Sequence, residues 1–264
     1  MSEPMPTEIE AKFRLDDPAR GAALARAATL APGIALDIVR ERVDQDEYAD
    51  GAALPLLLAG WVLRHRTRYL ARGGADGGPA VQHIVTLKQL SAAATADGGP
   101  VQTRAEIEGP IRGAPFDPAA WPDAVRAAAQ AACGGAIPPL LPLFALAQRR
   151  QVRTAYVDGA AAGELSIDAV RVHLAGDGQR GADAVARFDE VEFELASGAA
   201  AGILERVVPA LSKACGGAAA RGSKFDTAVA LLADAPALAR LDEETRARLS
   251  AALAALGRPA RDGA

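Results

Sequence analysis

The stretch Thr7-Glu-Ile-Glu-Ala-Lys-Phe13 places charged and apolar side chains in strict alternation. On a β-strand, residues two apart share a face, so Glu8, Glu10 and Lys12 point to one side and the apolar residues between them point to the other. A half-buried strand with its charges in water would give the same pattern. A single occurrence does not separate that interpretation from a charged interior, but its recurrence along the chain does.

The same alternation of charged and apolar residues returns in four later segments. Each carries ionised groups on one side and valine, isoleucine, leucine or phenylalanine on the other. The segments are Leu63-Arg-His-Arg66, Thr86-Leu-Lys88, Arg104-Ala-Glu-Ile-Glu108 and Glu190-Val-Glu-Phe-Glu194. If the apolar sides all pack against helices, the charged sides converge on one shared interior. Such an interior is unfavourable unless ions and ligands neutralise it, which indicates a site for a polyanion and a metal.

Length, charge and cysteine content limit the class of protein. The 264 residues can form one substantial core, or one large domain with an appendage. The formal net charge of −4 does not favour nucleic acid or an anionic membrane as a partner, so any phosphate-binding cations must be concentrated locally. No apolar run approaches the ~18 residues of a membrane span. Cys133 and Cys215 form no CxxC motif, and with the lack of a signal sequence they predict a reducing, cytoplasmic location.

Short strands linked by hairpin loops dominate the predicted organisation. About eight strands with inserted helices predict an α+β fold, in which closing an antiparallel β-barrel removes the sheet edges and creates an interior. Because the interior positions are Glu, Arg and Lys, we expect a wet, ligand-binding tunnel with the helices packed outside. Residues 1–232 are expected to form this domain. Residues 233–264 are expected to be a C-terminal amphipathic helix and tail, packed on the outside of the barrel or on a second subunit.

Several boundaries within this organisation are specific expectations. An aspartate N-cap followed by Pro18 predicts a helix over 18–30 that stops at the Pro-Gly pair 32–33. Residues 44–51 are expected to be an acidic connection between strands. Two separate strands are expected at 164–168 and 170–174. The glycine-rich segments 73–79, 97–100 and 176–183 are expected to be hairpin loops.

Taken in order, the motifs resemble the CYTH superfamily, the triphosphate tunnel metalloenzymes. The shared elements are Glu-x-Glu-x-Lys, Leu-Arg-x-Arg, Thr-x-Lys, Arg-x-Glu-x-Glu, a later arginine, Glu-x-Glu and a late Ser-Lys, from Glu8 to about Lys224. One Glu-x-Glu pair is uninformative, whereas seven elements in order are specific. The resemblance implies a β-barrel tunnel with metal-dependent chemistry on triphosphates. It is closest to bacterial inorganic triphosphatases, without the histidine-rich helical CHAD domain that many of them carry.

The resemblance also implies a role for each charged residue. Cations are assigned to the phosphates of the substrate: Arg64, Arg66, Lys88, Arg104, Arg150 and Lys224. Carboxylates are assigned to a divalent metal, directly or through water: Glu8, Glu10, Glu190 and Glu192. The candidate catalytic residues are one lysine that contacts phosphate and two carboxylates that position metal or water: Lys12, Glu106 and Asp168. Hard oxygen ligands, and the absence of a Cys/His cluster, favour Mg²⁺ or Mn²⁺ over zinc.

Neighbouring residues leave alternatives open for several of these assignments. Arg64 and Arg66 are also compatible with an exposed strand, and Asp168 with a turn. Some positions have competitors of the same type: Arg150 against Arg153, Lys224 against Lys213, Glu106 against Glu108, and Glu192 against Glu194. Lys224 is preferred for its position beyond the last helix. The three histidines show no spacing for a metal site or a catalytic triad.

The leading functional prediction is hydrolysis of inorganic triphosphate to pyrophosphate and phosphate. No aromatic cluster suited to stacking a base is recognisable, although Trp61 is a candidate contact for a thiamine cation. Thiamine triphosphatase, class IV adenylyl cyclase and a non-catalytic polyphosphate- or nucleotide-binding module are the alternatives. The complete Glu-x-Glu pairs argue against a pure binding module, which needs few carboxylates. The expected partner is a small-molecule triphosphate, with no nucleic acid or membrane, and we expect a monomer or homodimer.

Overall fold

The computed structural model describes residues 6–70, 80–90, 99–175, 184–217, 219–220, 222–233 and 243–256. The predicted loops at 73–79 and 176–183, and residues 97 and 98 of the loop at 97–100, lie outside these residues. The strands are β1 (Thr7–Arg14), β2 (Thr29–Ala31), β3 (Ile34–Leu36), β4 (Arg40–Gly51), β5 (Trp61–Leu70), β6 (Ala80–Gln89), β7 (Val101–Pro110), β8 (Leu140–Val157), β9 (Ala160–Leu174) and β10 (Ala186–Leu195). The helices are α1 (Pro18–Arg26), α2 (Pro55–Leu58), α3 (Asp123–Ala132), α4 (Ile203–Cys215), α5 (Lys224–Ala233) and α6 (Glu243–Ala255).

Eight of the strands close into a barrel. Around the barrel the order is β8-β4-β5-β6-β7-β1-β10-β9, and pairing of β9 with β8 completes the ring. Every neighbouring pair in the ring is antiparallel. The short β2–β3 hairpin extends the sheet beside β8. The predicted α+β fold with an eight-stranded antiparallel barrel is therefore confirmed.

The apolar strand faces pack against helices on the outside of the barrel. Helices α1 and α4 belong to a cluster that contains Phe13 of β1 and Phe193 of β10. Helices α2 and α3 belong to a second cluster, with Leu63 of β5 and Leu87 of β6. Because apolar and charged residues alternate along each strand, this packing turns the charged faces inward. None of the described helices is both long and apolar enough to cross a membrane.

A third apolar cluster fills one end of the barrel interior. Leu146, Val172 and Phe188 share strand faces with the charged interior residues, yet they pack in one cluster with residues of α5 and α6. In α6, Leu249 is 2% exposed and Ala252 is fully buried in this cluster. The C-terminal helix therefore packs with α5 on the apolar end of the interior, and not on the outer wall. Residues 234–242, where that helix was expected to begin, lie outside the described residues.

The helix predicted over 18–30 is shorter than expected. Its start is confirmed, since the Asp17 side chain accepts a hydrogen bond from the Ala19 N–H at 2.9 Å and Pro18 occupies the first turn. The helix ends at Arg26, and β2 and β3 follow as a hairpin. The Pro-Gly pair turns this hairpin, with Gly33 at a φ of 74° that suits glycine. Leu30 and Ile34 of the hairpin are buried in the core, and these contacts favour the hairpin over a continuation of the helix.

Two other expectations are wrong for a common reason, which is that inward-facing and outward-facing residues of the strands were not separated. Residues 44–51 are part of β4 and not a connection. Residues 164–168 and 170–174 belong to the single strand β9, in which Ala169 is simply an outward-facing residue. Lys224 follows α4, as expected, but it also begins a helix that was not predicted, α5, whose apolar residues pack in the barrel end.

Candidate active site in the barrel interior

The inward faces of the strands line a cavity of about 460 Å³. Every candidate site residue of the sequence analysis either lines this cavity or pairs with a residue that does. The exposed fraction of the side chains rises with distance from the apolar end. It is 0% at Asp168 and 2% at Glu190, but 36% at Glu164 and 50% at Glu108. The interior is therefore sealed by apolar packing at one end and reaches solvent at the other, its open end.

Three carboxylates form a compact group deep in the interior. Oxygen atoms of Asp168, Glu190 and Glu192 lie within 4.8 Å of one another, and all three residues are buried. The register explains their proximity, because Glu190 pairs directly with Asp168 across β10 and β9. The Lys224 ammonium contacts all three carboxylates, at 2.9 Å, 2.8 Å and 2.6 Å respectively. Such a set of hard oxygen donors fits Mg²⁺ or Mn²⁺, and the Lys224 ammonium provides their positive charge in this structure.

The two glutamates of this group have opposite electrostatic environments. Burial alone would raise the pKa of Glu192, but Lys12, Lys224 and Arg150 hold that pKa well below its usual range. Burial also raises the pKa of Glu190. The attraction of Lys224 lowers this pKa, but repulsion from Glu192 opposes that effect, so the pKa of Glu190 stays above its usual value. Glu192 is therefore the firmly ionised member of the pair and the stronger candidate for a metal ligand.

The Glu-x-Glu-x-Lys strand lies beside this group and is joined to it through Lys12. The Lys12 ammonium is 2.5 Å from Glu192 Oε1 and 3.3 Å from Glu10 Oε2. Burial alone would lower the pKa of Lys12, but Glu192, Glu190 and Glu8 together raise it above its ordinary value, so Lys12 stays charged. Glu10 also contacts Arg104, and Glu8 contacts Lys88. Neither glutamate belongs to the three-carboxylate group. The third member of the group is Asp168, which the sequence motifs assign to positioning metal or water.

A second set of ion pairs joins β1 to β5, β6 and β7. Lys88 contacts both Glu8 and Glu106, the latter at 2.6 Å, and Arg64 lies 3.5 Å from the other oxygen of Glu106. Burial alone would raise the pKa of Glu106, but Lys88 and Arg64 hold it below its usual range. Glu106 is thus an ionised carboxylate that lies among cations and lines the cavity.

Arg104 has guanidinium donors that the protein leaves unused. Its side chain is 1% exposed and contacts Glu10, while its Nε and Nη1 atoms are buried without a hydrogen-bond partner. The Nε atom of Arg64 is in the same condition. Unpaired buried donors are unfavourable in an empty site, and they become favourable when an anion accepts from them. These two residues therefore fit the phosphate-binding role that the sequence motifs imply.

The structure also separates the competing residues. Arg150 points inward, donating to Asp168 at 2.8 Å and Glu192 at 3.1 Å, while Arg153 donates to backbone carbonyls at the end of α1, such as that of Ala27 at 2.5 Å. Lys224 is 7% exposed within the site, whereas Lys213 lies on α4, outside the barrel. Glu108 and Glu194 face the interior but lie at its open end.

Sequence reasoning missed the acidic residues of β4. Asp44 and Asp46 are fully buried in the interior, where Arg66 donates to Asp46 at 2.6 and 2.7 Å. Gln148 donates to Asp46 at 2.6 Å. Charged residues recur at every second position through Arg42, Asp44 and Asp46, but the alternate positions from 41 to 47 are mostly polar as well, so the pattern does not stand out. Two arginines that line the cavity were missed with them: Arg42 and Arg68.

Comparison with known proteins gives matches in structure only. The sequence matches no family model and no curated protein. HpAC1 from Hippeastrum, proposed as an adenylyl cyclase and described as having a dominant triphosphatase activity, is similar with 17% identity and a TM-score of 0.55, over 84% of this chain and 95% of that one. A Bacillus halodurans protein proposed as an adenylate cyclase is similar with 16% identity and a TM-score of 0.51, over 84% of this chain and 98% of that one.

At these identities the likeness is one of fold. It extends over most of both chains, including the barrel that carries the charged interior. The charged residues of the sequence motifs lie on the inward faces of the strands or, in the case of Lys224, at the first residue of α5. The chain therefore shares its fold with these two proteins, in agreement with the barrel that its sequence motifs predict.

Proposed function

We propose that this protein hydrolyses inorganic triphosphate to pyrophosphate and phosphate in a divalent-metal-dependent reaction. One observation carries the proposal, which is that the candidate phosphate-binding cations line one cavity together with Glu192, a member of the buried group of three carboxylates. Among the described residues, nine cations and seven carboxylates line that cavity, and four buried carboxylates pair with the lining cations: Asp44, Asp46, Asp168 and Glu190. The cations are thus already neutralised within the protein, and a polyanion alone would meet repulsion there. A metal-bound polyanion matches the interior, because the metal offsets the carboxylates while the phosphates engage the cations.

The lining residues favour a substrate without a large organic group. Tyr48 and Phe225 are the aromatic residues among the described lining residues, and both pack with Phe144 at the sealed end. Trp61, the candidate contact for thiamine, packs in the outer cluster with α2 and α3 and does not line the cavity. Since no described aromatic side chain is available at the open end to stack on a base or thiazolium, inorganic triphosphate is the best-supported substrate.

Positioning and charge neutralisation would carry most of the catalysis. Arg64, Arg66, Lys88 and Arg104 would bind the phosphate oxygens by charge-assisted hydrogen bonds and keep the chain extended along the barrel. Arg150 and Lys224 would balance the charge that develops on the leaving pyrophosphate oxygen. Asp168, Glu190 and Glu192 would hold Mg²⁺ or Mn²⁺, which when bound supplies further charge neutralisation and lowers the pKa of water.

The ionised Glu106 is the candidate for orienting the attacking water, since it lies between Lys88 and Arg64. The water oxygen forms a bond to the terminal phosphorus while the bond from that phosphorus to the bridging oxygen breaks. One proton of the water stays on the orthophosphate formed, the other passes to the pyrophosphate oxygen, and pyrophosphate leaves. Lys12, kept charged by its carboxylate neighbours, would hold Glu192 and Glu10 in place and contact a phosphate oxygen. The expected setting is the cytoplasm, with no nucleic acid or membrane partner, as a monomer or homodimer.

Orthophosphate release from a panel of substrates tests the proposal. The panel is inorganic triphosphate, ATP and thiamine triphosphate, each with Mg²⁺, with Mn²⁺ and with excess chelator. We expect fastest release from inorganic triphosphate, and none with chelator. Faster release from thiamine triphosphate would indicate a thiamine triphosphatase. Conversion of ATP to a cyclic nucleotide and pyrophosphate would indicate an adenylyl cyclase. Binding without turnover of any of them would indicate a binding module.

A further inference from the structure

Asp44 is surrounded by arginines. Its carboxylate is fully buried and accepts two hydrogen bonds from Arg68, at 3.0 and 3.2 Å. Arg66 lies 3.3 Å from the same carboxylate, and Arg42 and Arg150 each lie 3.6 Å from it. One carboxylate thus lies at the centre of four guanidinium groups. The sequence motifs assign Arg66 and Arg150 to triphosphate, and they leave Arg42 and Arg68 without a role.

Arg42 and Arg68 continue the rows of interior cations toward the open end. Arg68 follows Arg66 by two residues on the same face of β5, and Arg42 pairs directly with Arg150 across β4 and β8. Two residues of a strand span about 6.8 Å, so this is one further step along the barrel. The side chains of Arg42 and Arg68 are 16% and 19% exposed, against 7% and 8% for Arg66 and Arg150.

The ion pairs within the protein do not satisfy Arg42. Its Nη2 atom donates to Glu164 at 3.2 Å, but its Nε atom is buried and has no hydrogen-bond partner. Burial, together with the guanidinium groups of Arg150 and Arg68, lowers the pKa of Arg42 to about 10. The Nε atom lies 3.6 Å from the Asp44 carboxylate, within ion-pair range but too far for a hydrogen bond. The unused donor and the crowded positive charge both fit an anion that is bound beside Arg42.

We infer that Arg42 and Arg68, oriented by Asp44, form a further phosphate-binding position at the open end of the cavity. The inference rests on the proposed function, since it places this position next to the cations that would hold triphosphate. The ligand chemistry is a tetrahedral phosphate group. It has two sources, the fourth phosphate of a linear polyphosphate chain or free orthophosphate bound beside the substrate.

Chain-length dependence tests the first source. Michaelis constants for inorganic triphosphate and linear tetraphosphate are measured with Mg²⁺ for the wild type, Arg42→Gln and Arg68→Gln. Arg149→Gln is the matched control, because Arg149 is an exposed arginine on the opposite face of β8 from Arg150. We expect each variant to raise the Michaelis constant for tetraphosphate about tenfold and to change that for triphosphate by less than about twofold. The control should change neither constant.

Orthophosphate inhibition of triphosphate hydrolysis tests the second source. Non-competitive inhibition that weakens about tenfold in Arg42→Gln and Arg68→Gln, with an unchanged Michaelis constant for tetraphosphate, assigns the position to free orthophosphate. The inference is overturned if neither tetraphosphate nor orthophosphate responds to the substitutions. It is also overturned if triphosphate and tetraphosphate are weakened equally, because the two arginines then belong to the triphosphate site itself.

A failure of the proposed function is distinguishable from a failure of this inference. If the wild type does not hydrolyse triphosphate, calorimetric titration with magnesium tetraphosphate still reports binding to the full-length protein. Binding that is about tenfold weaker in Arg42→Gln than in Arg149→Gln supports the position without turnover. Equal binding by these two variants, with equal unfolding midpoints to show that both are folded, overturns it.

Discussion

The carboxylate of Asp46 is completely buried and accepts hydrogen bonds from Arg66 at 2.6 and 2.7 Å and from Gln148 at 2.6 Å. Removing one partner of a buried ion pair leaves the other charge uncompensated, at a cost of about 3–5 kcal/mol. We therefore expect Asp46→Asn to lower the free energy of unfolding by about 3 kcal/mol in urea titrations. Asp123→Asn is the control, because Asp123 pairs with Arg126 at a surface where its side chain is 93% exposed. A loss from the control as large as that from Asp46→Asn would contradict this expectation.

Glu194 makes stability depend on pH near neutrality. Burial and repulsion from Glu8 and Glu106 raise the pKa of Glu194 from 4.5 to about 7. The folded chain holds this proton more tightly than the unfolded chain, so the associated stability is present below pH 4.5 and is lost as the pH rises through 7. We expect Glu194→Gln to be more stable than the wild type at pH 8, with the difference shrinking toward pH 5. Solvent at the open end makes this difference in stability smaller. Thermal unfolding across this pH range measures it, and a difference that does not change with pH would contradict the expectation.

Residue-level prediction succeeded where charges lie on one face of a strand only. Glu8, Glu10 and Lys12 alternate with apolar residues, and all three face the interior. Along β4 the inward residues Asp44 and Asp46 alternate with outward polar residues such as Glu41 and Glu47, so charge appears on both faces. Without an apolar outer face the period of two is hidden, and the segment resembles a loop. Only the pairing of β4 between β5 and β8 reveals which side is buried.

At the scale of elements, α5 and α6 determine which end of the barrel is sealed. Lys224 begins α5, where a cation is unfavourable for the helix dipole, so the three carboxylates and not the helix account for its position. The remaining apolar residues of α5 pack with Tyr48 and Phe144. Sequence reasoning did not find this helix because it is apolar on most sides. That composition fits a helix enclosed between the barrel end and α6. Such an enclosure depends on contacts between residues far apart in the sequence, so local sequence patterns do not reveal it.

Leu249 of α6 tests whether this seal is structural. Its side chain is 2% exposed within the cluster at the barrel end. We expect Leu249→Ala to lower the free energy of unfolding by about 2–4 kcal/mol, because it leaves a cavity, while turnover per folded molecule stays near that of the wild type. Leu58→Ala is the matched control, since Leu58 is 71% exposed and its removal leaves no cavity. Lost turnover in folded Leu249→Ala would mean that the helix acts on the site directly.

At the scale of the whole molecule, stability and ligand binding are linked through the charged interior. Unpaired donors on Arg104 and Arg64 remain buried in this structure, and an anion would satisfy them. We expect triphosphate with Mg²⁺ to stabilise the fold by about 2.7 kcal/mol at a hundredfold excess over the dissociation constant, and either component alone to stabilise it much less. Melting temperatures with triphosphate, Mg²⁺, both or neither check this. A melting temperature indifferent to the pair, at concentrations that saturate turnover, would contradict a preformed site.

Turnover of inorganic triphosphate by Glu192→Gln is the most direct test that the buried carboxylates and the surrounding cations act as one metal-dependent site. Glu192 contacts Lys12, Arg150 and Lys224 and is the firmly ionised carboxylate of the group. Glu205→Gln, on the exposed surface of α4, is the control. With rates normalised to the folded fraction and with Mg²⁺ present, we expect the control to match the wild type and Glu192→Gln to lose about a hundredfold or more. Wild-type turnover in folded Glu192→Gln, or no turnover by the wild type with either Mg²⁺ or Mn²⁺, would contradict the proposed function.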